Sequence, residues 1–139
     1  MNNMMEHRLN LAHYYKYLPF VFAFDAQCEV FCHMAETISD AFNEDEKKAL
    51  QIRKLLVAHG RGLARSGDLL ISNPDCDNEH RNRIKDIQSK INLRNDLLID
   101  EMIQIIKEND SRLESEIEAN LNDEIEKNIF DYSLYEKTL

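Results

Sequence analysis

Scarcity of turn-forming residues is the strongest constraint that this sequence places on its fold. Only 3 glycines and 2 prolines occur among 139 residues, against average usage of about 7% and 5%. Sandwiches and barrels need many tight turns, and tight turns need those residues. The sequence therefore predicts an all-α protein, a small bundle of four to five helices, and nearly excludes all-β, collagen-like and low-complexity folds.

Chain length favours a single domain. A chain of 139 residues can bury roughly 68% of the surface of its unfolded state, enough for a core without disulfides or metal. We expect one helical domain over residues 1–139. Its N-terminal helices lie in 1–72, and a longer, more polar helical hairpin with a tail follows in 73–139.

Apolar residues recur at three- and four-residue steps, the period of an α-helix. This pattern predicts a first helix over about residues 4–17, which Pro19 ends or kinks because proline lacks an amide N–H. A second helix is expected over about residues 20–42. Asn43 is a suitable N-cap for a third helix, since three acidic residues follow it and favour the positive end of the helix dipole.

The glycines are concentrated in one place. Gly60, Gly62 and Gly67 fall within eight residues and Pro74 follows, which predicts a flexible joint between two halves of the chain.

Two leaner helices are expected after this joint. A fourth begins near Asp75 or Asp77 and runs to about Lys107, and Asn109 and Asp110 make a break before the fifth. Each carries one apolar stripe on a charged helix, as in a coiled-coil seam. A seam this narrow can be completed by a second copy or by a partner helix.

Charge is distributed unevenly around a net charge of -9. Residues 46–65 carry six basic groups against one acid, whereas residues 108–136 carry ten acids against two bases. The two segments either form docking faces or close their charges on each other. The negative balance argues against binding of duplex nucleic acid, although RNA contact at residues 47–65 stays open.

Arg53 and His59 form the first chemical lead. An arginine six residues before a histidine resembles the short Arg-x(4–6)-His signature of HEPN-domain ribonucleases. The resemblance implies an all-helical dimer that cleaves RNA without metal, with Arg53 binding phosphate and His59 assisting proton transfer. The alternative is structural: His59 interacts with the last carbonyls of a helix before Gly60, and Arg53 is one of several surface bases.

The cysteines and one histidine form the second lead. Cys28 and Cys32 are four residues apart on one helix, and Cys76 and His80 are four apart at the start of another. Together they would make a tetrahedral Cys3His zinc site. The alternative, which we favour, is that they are buried thiols without a cofactor.

The chain shows neither a membrane span nor a leader pattern. No stretch approaches the roughly 20 uninterrupted apolar residues that a transmembrane helix needs, and residues 1–8 lack a basic region followed by an apolar one. We expect a cytoplasmic protein with reduced thiols, since three cysteines do not suggest a disulfide framework.

The favoured functional interpretation is a non-enzymatic, acidic helical protein-binding module of the inhibitor, immunity, antitoxin, chaperone or adaptor type. Its partner would be a protein with a basic face, and homo-oligomers are compatible with the pattern. It would act through the acidic hairpin and an apolar tail, whose anchor candidates are Ile129, Phe130, Tyr132, Leu134 and Tyr135. The HEPN-like ribonuclease is the alternative.

Overall fold

The computed structural model describes residues 3–41, 43–127 and 129, with side chains described from residue 18 onward except at residue 39. This part of the chain contains helices and no strands, which confirms the all-α prediction. The four helices are α1 (Asn3–Ala41), α2 (Glu46–Ser72), α3 (Asn78–Lys107) and α4 (Glu114–Glu126).

Helices α1, α2 and α3 all pack against one another. Gly60 and Gly67 of α2 face Phe31 and Phe24 of α1, so these two helices run antiparallel. Helix α3 returns alongside α2 in the opposite direction and therefore runs parallel to α1. Helix α4 packs on both α2 and α3. Since α4 makes no contact with α1 among the described residues, the two helices occupy different grooves of the α2–α3 pair.

A single apolar cluster joins all four helices. Its members recur at three- and four-residue steps, as expected when each helix turns one face inward. The innermost side chains, which are almost fully buried, are Phe31, Val57, Ile84, Ile87, Ile91, Leu98, Met102, Ile117 and Ile125.

Helix α1 continues through Pro19, so the expected end of a helix at this residue was wrong. A proline inside a helix removes one backbone hydrogen bond and crowds the preceding turn, at a cost of roughly 3 kcal/mol. Immediately after Pro19 the helix buries Val21 and Phe24. Their burial offsets this cost, because each large apolar side chain contributes about 1.5–3 kcal/mol when fully buried.

The prediction of a flexible joint at the glycines was also wrong, because Gly60, Gly62 and Gly67 all lie inside helix α2. A Cβ atom at Gly60 would lie 2.5 Å from Cζ of Phe31 and 3.0 Å from Cγ of Asn95. At Gly67 it would lie 2.8 Å from Cζ of Phe24. The two glycines therefore serve close packing: they let α2 approach α1 and α3 where a larger residue would have to displace the neighbouring side chains.

Helix caps account for the other boundaries. Asp45, not the expected Asn43, caps α2, and its carboxylate accepts a hydrogen bond from the Lys48 amide at 3.2 Å. Asp77 caps α3 in the same way through the His80 amide at 2.8 Å. The expected start and end of this helix are confirmed. So is the break near Asn109, where residues 108–113 separate α3 from α4.

We predict that Gly60→Ala destabilises the protein by about 1–3 kcal/mol through overpacking. An exposed glycine in a helix would give the opposite sign, since alanine favours a helix by about 1 kcal/mol. Urea unfolding followed by circular dichroism measures the difference. A variant that is more stable than the natural chain would contradict the close approach at this residue.

Candidate functional site

Arg53 is a buried cation held by three hydrogen bonds. Only 4% of the residue is exposed. Its Nε donates to Oε2 of Glu101 on α3 at 2.8 Å, Nη1 to the Ala49 carbonyl at 3.2 Å, and Nη2 to Oδ1 of Asn43 at 2.8 Å. Arg53 is therefore not the surface base that the structural alternative described. It joins the start of α2 to the last turns of α3.

His59 lies in the middle of α2 and not at a helix end, so the expected contact with terminal carbonyls was wrong. Its exposed ring packs against the buried ring of Phe31, with centroids 6.0 Å apart and planes tilted by 54°. Six residues of helix place Arg53 and His59 about 9 Å apart along the axis and roughly 120° apart around it. Within one chain the two side chains therefore face different surroundings, and the ribonuclease role stays a prediction.

Substitution can test the structural role of Arg53. We expect Arg53→Met to lower the free energy of unfolding by about 2 kcal/mol, because hydrogen bonds to a charged group are lost while the aliphatic volume is kept. Glu101→Gln should cost less than about 1 kcal/mol, since the Glu101 side chain is 45% exposed. Chemical denaturation of both variants tests this order, and an Arg53→Met protein of unchanged stability would contradict it.

The four candidate zinc ligands are not assembled. Cys28 lies against the Ile87 carbonyl of α3, with Sγ 4.0 Å from the oxygen. His80 is seven residues earlier on α3, about 10 Å along its axis, and its Nε2 lies 3.8 Å from Oδ2 of Asp77. Among the described residues, which include Cys32 and Cys76, no three His, Cys, Asp or Glu side chains are placed to hold a metal ion.

The burial of two thiols favours their neutral forms. The pKa of Cys28 is raised to about 11, chiefly by desolvation and also by the neighbouring Cys32 and Asp25, while Lys90 opposes them. Burial also raises the pKa of Cys76, against the opposing charge of Arg81. Both are suited to a core position, because only the thiolate is a good nucleophile or metal ligand.

Alkylation kinetics can test this arrangement. We expect iodoacetamide to modify the half-buried Cys32 first, whereas Cys28 and Cys76, each 3% exposed, react only as fast as the fold opens. Peptide mass spectrometry of samples quenched at intervals gives the order, with urea-unfolded protein as the control for equal reactivity. Early labelling of Cys28 in folded protein would contradict the packing of α1 against α3.

Ion pairs between helices involve many of the bases in residues 46–65. Lys54 pairs with Glu124 at 2.5 Å, and Arg61 and Arg65 pair with Glu126 at 3.2 and 2.9 Å. These three bases join α2 to α4, so the two charged segments close on each other in part. Lys47 and Lys48 at the start of α2 are exposed.

An acidic surface is left over on α3 and α4. Helix α4 contains six acids and no base, and Glu114 pairs with Lys107 at 2.6 Å. The remaining acids of α4 and two acids of α3 are exposed; they are Asp96, Asp100, Glu116, Glu118 and Asp123. We call these five residues the acidic surface.

Helix α1 also presents an apolar face that α2 and α3 bury only in part. Met34 and Ile38 of α1 line a shallow groove of about 270 Å³ with Ile52, Leu55 and His59 of α2. Val30 and Leu55 are 58% and 57% exposed. Sequence analysis missed this face, because the placement of α2 against α1 decides which apolar residues stay exposed.

Most of the predicted tail anchors lie outside the residues that the structure describes. Ile129 is half-buried and packs against the common core. Phe130, Tyr132, Leu134 and Tyr135 lie outside the described residues. Their partner-binding role stays a prediction.

No described helix has both the length and the apolar character needed to cross a membrane. Comparison with known proteins finds no family model, no curated protein and no solved structure that matches this chain. The function of the chain therefore has to be inferred from the residues and surfaces described above.

Proposed function

We propose that this chain is a non-enzymatic protein-binding module that recognises a partner with a basic face. The observation that carries the proposal is the acidic surface, which stays exposed after α4 has paired with the bases of α2 and α3. Like-signed charge on one surface steers an oppositely charged protein and speeds its association. The inhibitor, immunity, antitoxin, chaperone and adaptor types all fit this description.

The α2–α4 ion pairs support the proposal in a second way. They tie the short helix α4 to the bundle, and its buried Ile117, Leu121 and Ile125 pack into the core. A partner would therefore meet a preorganised acidic helix, and little ordering entropy would be lost on binding.

The ribonuclease interpretation has less support in the geometry. Phosphate at Arg53 would compete with Glu101 and Asn43, which already accept hydrogen bonds from its guanidinium. Glu101 also places a negative charge beside the position that an RNA phosphate would take.

Charge reversal on α4 tests the proposal. We expect Glu118→Lys with Asp123→Lys to weaken partner binding at least tenfold, which corresponds to about 1.4 kcal/mol, because both side chains are exposed and no ion pair within the described residues uses them. The matched control is Glu29→Lys with Asp40→Lys, which changes net charge equally on α1, away from α4. Partners are recovered on the tagged full chain from its own host and titrated at low and high salt.

Two results would contradict this function. One is that the α4 variant and the α1 variant bind the recovered partner equally well. The other is that binding is insensitive to salt, since contacts between exposed charges weaken as ionic strength rises.

A further inference from the structure

A second row of residues runs along α1 beside its buried row. Its members recur at steps of three and four residues and therefore share one side of the helix. None of them is Asp, Glu, Lys or Arg, and the row is Phe20, Ala23, Gln27, Val30, Met34, Ile38 and Ala41. We call it the apolar seam. Its spacing is that of a coiled-coil seam, which packs against another helix.

The acids of this part of α1 lie on another side of the helix. Asp25 pairs with Arg83 of α3 at 2.9 Å, and Glu36 pairs with Arg94 of α3 at 2.5 Å. Glu29 and Asp40 follow at the same helical spacing and share that side. The charges of α1 are thus kept toward α3, and the seam is kept free of charge in a protein of which 31% is charged.

Helix α2 widens the seam. The groove between α1 and α2 continues it with Ile52, Leu55 and His59. Helix α4 covers the α2–α3 side of the bundle and does not reach α1 among the described residues. The seam and the acidic surface therefore share no residue.

We propose that the apolar seam is a homodimer interface, covered by the same seam of a second copy. Charge is the first reason. Two chains of net charge -9 repel each other, and this is a face where two copies can meet without opposing carboxylates. A partner that the acidic surface attracts through its basic face would gain no electrostatic attraction from the uncharged apolar seam.

Size complementarity is the second reason. A two-fold axis near Val30 brings the two α1 helices together antiparallel. In that register Phe20 lies opposite the partner copy's Ala41, and Ala23 lies opposite its Ile38. At both ends of the interface large side chains thus face small ones, which lets the two helices interdigitate there.

Area is the third reason. From Phe20 to Ala41 the seam is about 33 Å long, and with the adjoining face of α2 it is roughly 18 Å wide. This footprint of about 600 Å² per copy buries about 1,200 Å² in total, the lower end of the range for stable, specific interfaces.

The decisive experiment is sedimentation velocity of the full chain over a wide range of protein concentration. The natural chain should sediment as a dimer, a species with twice the chain's mass of 16.4 kDa. Val30→Glu should raise the dimer dissociation constant roughly 100-fold, because it opposes two carboxylates at the two-fold axis. The matched control is Leu93→Glu on α3, since Leu93 is 63% exposed and lies outside the seam. It should leave the dimer intact.

A second variant protects the test against misfolding. Leu55→Glu places the new charge on the α2 side of the interface and should also weaken the dimer, and circular dichroism confirms that each variant is folded. A natural chain that stays monomeric throughout would overturn the proposal, whether its own tail or another protein covers the seam. So would a dimer that Val30→Glu and Leu55→Glu leave unchanged, or one that Leu93→Glu disrupts equally.

This inference does not depend on the proposed function. A folded, monomeric Val30→Glu chain that still binds the basic partner would support the dimer interface and the acidic surface separately. The Glu118→Lys, Asp123→Lys variant should conversely remain dimeric, and its failure to bind the partner would bear on the function alone.

Discussion

The close approach of α2 to both α1 and α3 is the constraint on which the rest of the structure depends. At Gly60 and Gly67 the space that a side chain would need is filled by Phe31, Asn95, Phe24 and Gln88. These contacts set the register of three helices together. That register brings Arg53 to Glu101, and it places the exposed row of α1 beside the exposed row of α2.

The same packing carries a cost at Asn95. The amide is buried, 3% exposed, and within the described part of the chain neither its oxygen nor its nitrogen has a hydrogen-bond partner. Such a group costs about 1–3 kcal/mol. It lies directly against Gly60, where the α2–α3 register is set. In other helical assemblies a buried Asn fixes register at the expense of stability, and its position here fits that role.

The fold class, the bounds of α3 and the buried apolar rows were predictable from the sequence, because these depend on local periodicity and caps. Sequence reasoning failed at Pro19 and at the three glycines, because there tertiary packing overrides local preference. A glycine looks the same in sequence whether it frees a joint or admits a neighbouring helix. The burial of Arg53 was invisible for the same reason, since its partner Glu101 is 48 residues away.

The candidate surfaces were likewise predictable from the sequence only in part. The uneven charge of the chain was readable from sequence, but which acids are neutralised by Lys54, Arg61 and Arg65 required the placement of α4. The apolar seam needed the direction in which α1 turns its acids, toward α3. Under the two proposals, one face of the molecule binds its own copy and another binds a basic partner, and a dimer would present two acidic surfaces to a multivalent target.

The most direct test of this account is nuclear Overhauser spectroscopy on the glycines of α2. Continuous helix packed against α1 predicts cross-peaks from the Hα protons of Gly60 to the ring of Phe31, and from those of Gly67 to the ring of Phe24, with rigid backbone amides throughout residues 60–67. Absent cross-peaks together with mobile amides there would show a flexible joint instead. That result would remove the helix register on which the buried arginine, the apolar seam and the acidic surface all depend.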